Sequence, residues 1–181
     1  MLRKWQTLLS GDCLVIRTND QTVYPIFRNG STSLIADKQQ SYVNHEIENC
    51  SNIKVLIRDP MQRFSSGVNE YSRQHGLDVD QVIKSISDGD LIDKHFAPQH
   101  VWLLHLYKFY KGTVTLMPFE DIGALTSLHR VAKDYRTGEF KKKEIDAWPE
   151  EFIRPDSKFK NWFGTETLLG DILKDSKDVL S

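Results

Sequence analysis

Cysteine is scarce in this chain: Cys13 and Cys50 are the only two among 181 residues. They form no metal-ligand spacing, and a lone pair in a mid-sized chain reads as two free thiols, so neither a disulfide framework nor a thiolate metal centre is expected. An excess of one charge is missing as well. The formal net charge is −1, so no global field draws the chain to a nucleic acid polymer or an anionic membrane, and any anion site has to be local. No apolar run approaches the ~20 residues that a membrane span needs. The segment Met1-Leu2-Arg3-Lys4-Trp5 begins with positive charge but leads into no apolar core or small-residue cleavage site, and reads as part of the fold. Repeats and low-complexity tracts are also lacking. His45, His95 and His100 are dispersed, which leaves no metal constellation.

What is present is an alternation of strands and helices. Leu14–Arg17 and Thr22–Phe27 read as strands separated by the turn signal Asn19-Asp20, with Pro25 marking an edge or bulge. A turn over Arg28–Ser33 leads into a helix from Leu34 to about Lys38. Ser41–Ile47 reads as a strand, and Ile53–Ile57 as a buried strand of the parallel type. Asp59-Pro60 opens a helix that Gly76 ends, with Met61, Phe64, Val68 and Tyr71 at helical spacing as core. Asp80 opens a helix stopped by Gly89. Further elements are a helix from Pro98 to Tyr110, a strand over Thr113–Met117 and a helix from Phe119 to about Val131. Thr165 caps a last helix through Leu168, Leu169, Ile172 and Leu173. The charged tract from about Asp134 to Asn161, with Arg136, Lys141, Lys142 and Lys143, reads as a solvated face or an acceptor rim. Trp5, Trp102, Trp148 and Trp162 read as core packing. The expected architecture is one α/β domain over residues 1–181, a P-loop-like three-layer arrangement with a mostly parallel central sheet flanked by helices.

Ligands in such sheets sit where strands end and helices begin. Two of these turns carry unusual chemistry. In the first, Arg28-Asn29-Gly30-Ser31-Thr32-Ser33, a glycine admits close backbone approach, three hydroxyls add donors and Arg28 adds a fixed charge, which together suit a phosphate. It is not a G-x-x-x-x-G-K-[ST] loop, so a nucleotide triphosphatase is disfavoured. In the second, Arg58 stands at the end of a buried strand and Ser66 lies about two helical turns into the next helix. Arginine with a hydroxyl suits a phosphate monoester. Arg63 reads as a helix-surface or acceptor-side charge.

The pair of segments is more specific than either part. P-x-x-x-x-G-S-T-S-L after one strand and R-D-P-x-x-R-F-x-S-G after another resemble the two nucleotide-binding segments of the sulfotransferases that use 3′-phosphoadenosine 5′-phosphosulfate. Asp93-Lys94-His95-Phe96-Ala97-Pro98-Gln99 and Met117-Pro118-Phe119-Glu120-Asp121-Ile122 are similar to stretches of the carbohydrate-type branch. The resemblance covers roughly Thr22 to Leu128. It implies that Arg28, Asn29, Gly30, Ser31, Thr32 and Ser33 hold the 5′-phosphosulfate and that Arg58 and Ser66 hold the 3′-phosphate. Arg28 stands where the family usually has lysine, supporting the departing phosphate. No metal is implied. The partner is a small-molecule or saccharide acceptor whose hydroxyl or amine is sulfated, and the location implied for a chain with no anchor is soluble and cytoplasmic.

Such a reaction needs a base for the acceptor's proton. His45, Glu46 and Glu48 are candidates, with His45 favoured because a neutral imidazole is abundant near pH 7. His95 is the second candidate. A catalytically weak binding module and a small-molecule kinase are the alternatives to a sulfotransferase.

Overall fold

A computed structural model describes residues 5, 7–128, 143–145 and 150–177. Trp148, Arg136, Lys141 and Lys142, and the far end of the helix expected to reach Val131, lie outside the described residues.

Among the described residues six strands form one open mixed sheet in the order β3-β1-β2-β4-β5-β6. They are β1 (Leu14–Thr18), β2 (Gln21–Val23), β3 (Gln40–Val43), β4 (Ile53–Ile57), β5 (Thr113–Pro118) and β6 (Glu166–Leu168). Only β2–β4 and β4–β5 pair in parallel, while β1–β2, β1–β3 and β5–β6 are antiparallel. The expectation of a mostly parallel sheet is therefore corrected, and the turn chemistry explains why. Asn19 and Asp20 hold φ of 46° and 58°, and two consecutive left-handed residues make a two-residue hairpin. The chain folds straight back, pairing Thr18 with Gln21. At the other end Glu166–Leu168 pairs with Thr113–Thr115 as an antiparallel edge, where a helix start had been expected. Gly164, at φ 73°, makes the turn into that edge strand.

Strand side chains alternate between faces, and both faces are covered. Val15, Ile53, Val55, Ile57, Val114 and Leu116 point into the larger core. There they meet helices α2 (Pro60–His75), α3 (Val79–Ser87), α4 (Gln99–Phe109) and α6 (Leu169–Lys177). Ile16, Val23 and Leu56 point the other way, into a smaller core closed by Leu34, Ile122 and Leu125. Leu34 belongs to α1 (Ser31–Ala36), and Ile122 to a 3-10 helix over Phe119–Ala124 that replaces the start of the helix expected there. The remaining helix, α5 (Glu150–Ser157), leads into a 3-10 turn over Lys158–Trp162.

Local signals explain most boundaries. Asp59 caps α2 by accepting from Gln62 N at 2.9 Å, Pro60 stands at its first turn, and Gly76 ends it in the left-handed conformation. For α3 the cap is Asp78 rather than Asp80, its carboxylate accepting from the Asp80 and Gln81 amides. The strand expected over Ser41–Ile47 stops at Val43. Asn44 takes φ 53° and its side chain ties to Asp12 and to the Cys13 amide, so residues Asn44–Asn49 coil into a 3-10 helix. The extended run before Arg28 is likewise paired only as far as Val23, and Phe27–Gly30 is a turn. Cys13 and Cys50 are both free thiols. No helix among the described residues is long and apolar enough to cross a membrane.

Candidate functional site

The carboxyl ends of β2, β4 and β5 share one edge of the sheet, and both unusual turns open there. The structure brings them together. Arg28 donates through its guanidinium to the Ser66 hydroxyl at 2.7 Å, so the first turn touches the helix of the second.

This contact is braced from beneath. The side-chain amide of Asn29 donates to Leu56 O at 2.7 Å and to Gln99 Oε1 at 2.6 Å. Gln99 Oε1 also accepts from Arg58 N at 3.0 Å, while Gln99 Nε2 donates to Arg58 O at 2.9 Å. One buried glutamine at the start of α4 thereby joins the two turns. Asn29, expected as a nucleotide ligand, has its donors in use within the protein: both amide protons serve this brace, and its backbone N–H donates to Ile26 O at 3.0 Å.

Arg63 is also corrected. It stands inward on α2, 2% exposed. It donates to Phe27 O at 2.9 Å and to Ala97 O, clamping the first turn to the loop before α4. Burial pulls its pKa down to about 10, Asp156 opposes that, and Arg28 and Arg58 add to it by repulsion. Arg28 and Arg58 thus lie near enough to Arg63 to disfavour its charge. Arg58 lies over the Phe119 ring at 5.0 Å.

Asp156 reaches this edge from α5. At 3% exposure it accepts from Gln99 N at 2.6 Å and His100 N at 2.8 Å, and lies 3.1 Å from His100 Nδ1. The residue before α4 is Pro98, whose side chain makes no cap, so a carboxylate from a distant helix satisfies the orphan amides. Nothing in the local sequence around Asp156 signals that role.

Beyond Arg58 a cleft of about 300 Å³ opens between β4, β5 and α5. Arg58, Lys160, Met61, Pro118, Ile153 and Phe163 are among the residues lining it. Met61, expected in the core, is 40% exposed and faces this opening. Phe64 and Val68 are core as expected.

In the first turn, Gly30 holds φ 77°, and a side chain there would overlap Ile122 Cδ1. Ser31 and Ser33 are buried and Thr32 is exposed. His45 is not brought to this edge's centre. It lies exposed in the 3-10 helix after β3, and β1 separates β3 from β2; at a usual strand spacing that is roughly 10 Å of lateral offset. Glu46 is occupied in accepting from Val43 N at 2.8 Å, and Glu48 is exposed.

His95 does reach the edge. Its ring meets Phe27 at 5.1 Å between centroids, and its Nδ1 lies 2.5 Å from Asp93 Oδ1. Compared with known proteins, the chain matches no family model, no curated protein and no solved structure.

Proposed function

We propose that this protein binds 3′-phosphoadenosine 5′-phosphosulfate across the two turns and transfers its sulfuryl group to a hydroxyl or amine of a small-molecule or saccharide acceptor. The observation that carries the reading is the Arg28–Ser66 bond at 2.7 Å. It joins the two segments whose sequence resembles the two nucleotide-binding segments of that enzyme class.

The donor set fits the nucleotide. Two guanidinium groups, those of Arg28 and Arg58, and the Ser66 hydroxyl stand at one edge of a chain whose formal net charge is −1, while Arg63 is committed to backbone carbonyls. Arginine reads phosphate oxygens two at a time, so this is a phosphate-recognising set. Arg58 and Ser66 would hold the 3′-phosphate. Arg28, with the Gly30–Ser33 turn, would hold the 5′-phosphosulfate, and Arg28 would steady the negative charge that grows on the departing phosphate. The apolar walls of the adjoining cleft, from Met61, Pro118 and Phe163, suit the purine. Bound there, the nucleotide supplies an activated sulfuryl group.

The test is calorimetric titration of 3′-phosphoadenosine 5′-phosphate (PAP), without metal, into the parent protein and Arg58→Ala. Micromolar or tighter binding that collapses in the variant supports the nucleotide class. Absence of PAP binding, with ATP binding only in the presence of magnesium, would overturn it in favour of a kinase.

A further inference from the structure

Residues 93–97 close against the helix that carries Ser66. A Cβ placed on Gly67 would overlap the carbonyl oxygen of His95, so this loop touches α2 one residue past the hydroxyl bonded to Arg28. On its other side the His95 ring packs edge-on against Phe27, with the planes at 84°, and Phe27 immediately precedes Arg28. The imidazole is thus wedged beside both turns, in the position that the distant His45 does not occupy.

The ring is also oriented. Asp93 Oδ1 accepts from His95 N at 2.8 Å and lies 2.5 Å from His95 Nδ1. Burial pushes the Asp93 carboxyl up, but the bonds to His95, with smaller help from His75, outweigh burial and hold it below the ordinary aspartate value. An ionised Asp93 accepts Nδ1–H, and an imidazole protonated on Nδ1 carries its lone pair on Nε2. Among the described residues none shares a hydrogen bond with that Nε2. Tyr71, at 6.2 Å between rings, and His75 behind it complete the surroundings on the α2 side. Phe27, 37% exposed, lies parallel to Trp102 and offers a flat apolar wall next to His95.

We propose that Nε2 of His95 takes the proton of the attacking hydroxyl or amine, with Asp93 as the positioning residue that fixes the tautomer; this rests on the sulfuryl-transfer reading. The acceptor's O–H or N–H bond breaks and its proton forms a bond to Nε2. The acceptor atom's electron pair makes the new bond to sulfur, and the pair of the broken sulfur–oxygen bond stays on the phosphate beside Arg28. The resulting imidazolium is stabilised by the Asp93 carboxylate.

Two readouts test this without knowing the natural acceptor. The first is nitrogen NMR of imidazole-labelled parent protein during titration with PAP, with His95 assigned by its loss in His95→Gln. The expected result is a protonated Nδ1, a bare Nε2 and a signal that moves as PAP saturates. A protonated Nε2, or a ring indifferent to bound PAP, overturns the assignment on the parent protein itself, whatever the variants do. The second is release of labelled sulfate from 3′-phosphoadenosine 5′-phosphosulfate with water as acceptor. His95→Gln should bind PAP within about threefold of the parent and release sulfate roughly a hundredfold more slowly, and free imidazole should restore part of the rate in His95→Ala. A variant that releases sulfate at the parental rate overturns the proposal, as does a parent that binds PAP and releases none. A parent that does not bind PAP overturns the nucleotide reading and this assignment together, so the two failures are distinguishable.

Discussion

The guanidinium of Arg28 donates to the hydroxyl of Ser66 at 2.7 Å, across 38 positions of sequence. Arg28 reaches it from a strained backbone, with φ of 69°. A residue carrying a Cβ loses roughly 1–2 kcal/mol in that left-handed region, and the surroundings hold it there through Arg63 on Phe27 O and Asn29 on Leu56 O. Strain of this kind concentrates where geometry serves a ligand.

That strain separates stability from binding. Arg28→Gly should be more stable than Arg28→Ala by about 1 kcal/mol, because glycine takes the same φ without cost. Both should lose PAP affinity by tenfold or more, since each lacks the guanidinium. Urea unfolding and calorimetry on the two variants check this. Equal stabilities would show that the turn stores no strain.

Gly67 is where α2 meets the His95 loop. Its added Cβ would overlap His95 O and crowd Phe96 N, both backbone atoms. A backbone obstacle does not swing aside as a side chain does, so Gly67→Ala should cost about 3 kcal/mol. Gly123→Ala, where nothing lies within 4 Å, should change stability by no more than about 0.5 kcal/mol. Urea midpoints of the pair decide it. A Gly67→Ala protein as stable as the parent would mean that the loop is not seated on the helix.

The sequence made the local part of this architecture legible and left the long-range part hidden. The apolar run Ile53–Ile57, the Asp59-Pro60 helix start and the Gly76 stop each carry their cause within a few residues, and each was found where expected. The positions of the two turns at one sheet edge were legible for the same reason, through the strand ends that precede Arg28 and Arg58. Strand direction was not. Asn19-Asp20 marked a turn, but only the two positive φ values make it a hairpin that sets β1 antiparallel. Short β6 was missed because three residues with one apolar side chain on an edge carry little pattern. The braces were invisible for a different reason. Gln99, Arg63 and Asp156 act across 41, 36 and 57 positions respectively, and no window along the chain shows that a glutamine, a helix arginine and a carboxylate converge. Arg63 lies roughly 110° around α2 from the stripe of Phe64, Val68 and Tyr71, so neither its spacing nor its charge pointed inward.

Asp156 should prove one of the costliest polar residues to remove. It accepts two backbone amides at the start of α4 from a site with 3% exposure. Losing a cap costs about 1 kcal/mol, and leaving buried donors without partners adds roughly 1–3 kcal/mol more. Asp156→Ala should therefore lose about 3 kcal/mol. It should also loosen Gln99, which joins the two turns, so PAP affinity should fall although Asp156 is no ligand. Hydrogen exchange at the Gln99 and His100 amides gives the direct readout. Unchanged protection there would show that the carboxylate does not cap the helix.

Glu70 ties stability to acid. Its hydrogen bond from Arg73 is the largest influence on its pKa; burial opposes it, Gln74 and Arg28 assist, and the value falls from the ordinary 4.5 to about 2. A carboxylate with a depressed folded-state pKa binds its proton more readily in the unfolded chain, so its contribution is complete above pH 4.5 and is lost as pH falls toward 2. Because Arg73 is half exposed, the amount should be on the order of 1 kcal/mol rather than the full linkage value. Glu70→Gln should therefore be less stable than the parent at pH 7, and the gap should close between pH 4.5 and 2. Urea midpoints of both proteins across that range measure it. A gap that persists unchanged at pH 2 would mean that shape, and not the Arg73 bond, is what Glu70 contributes.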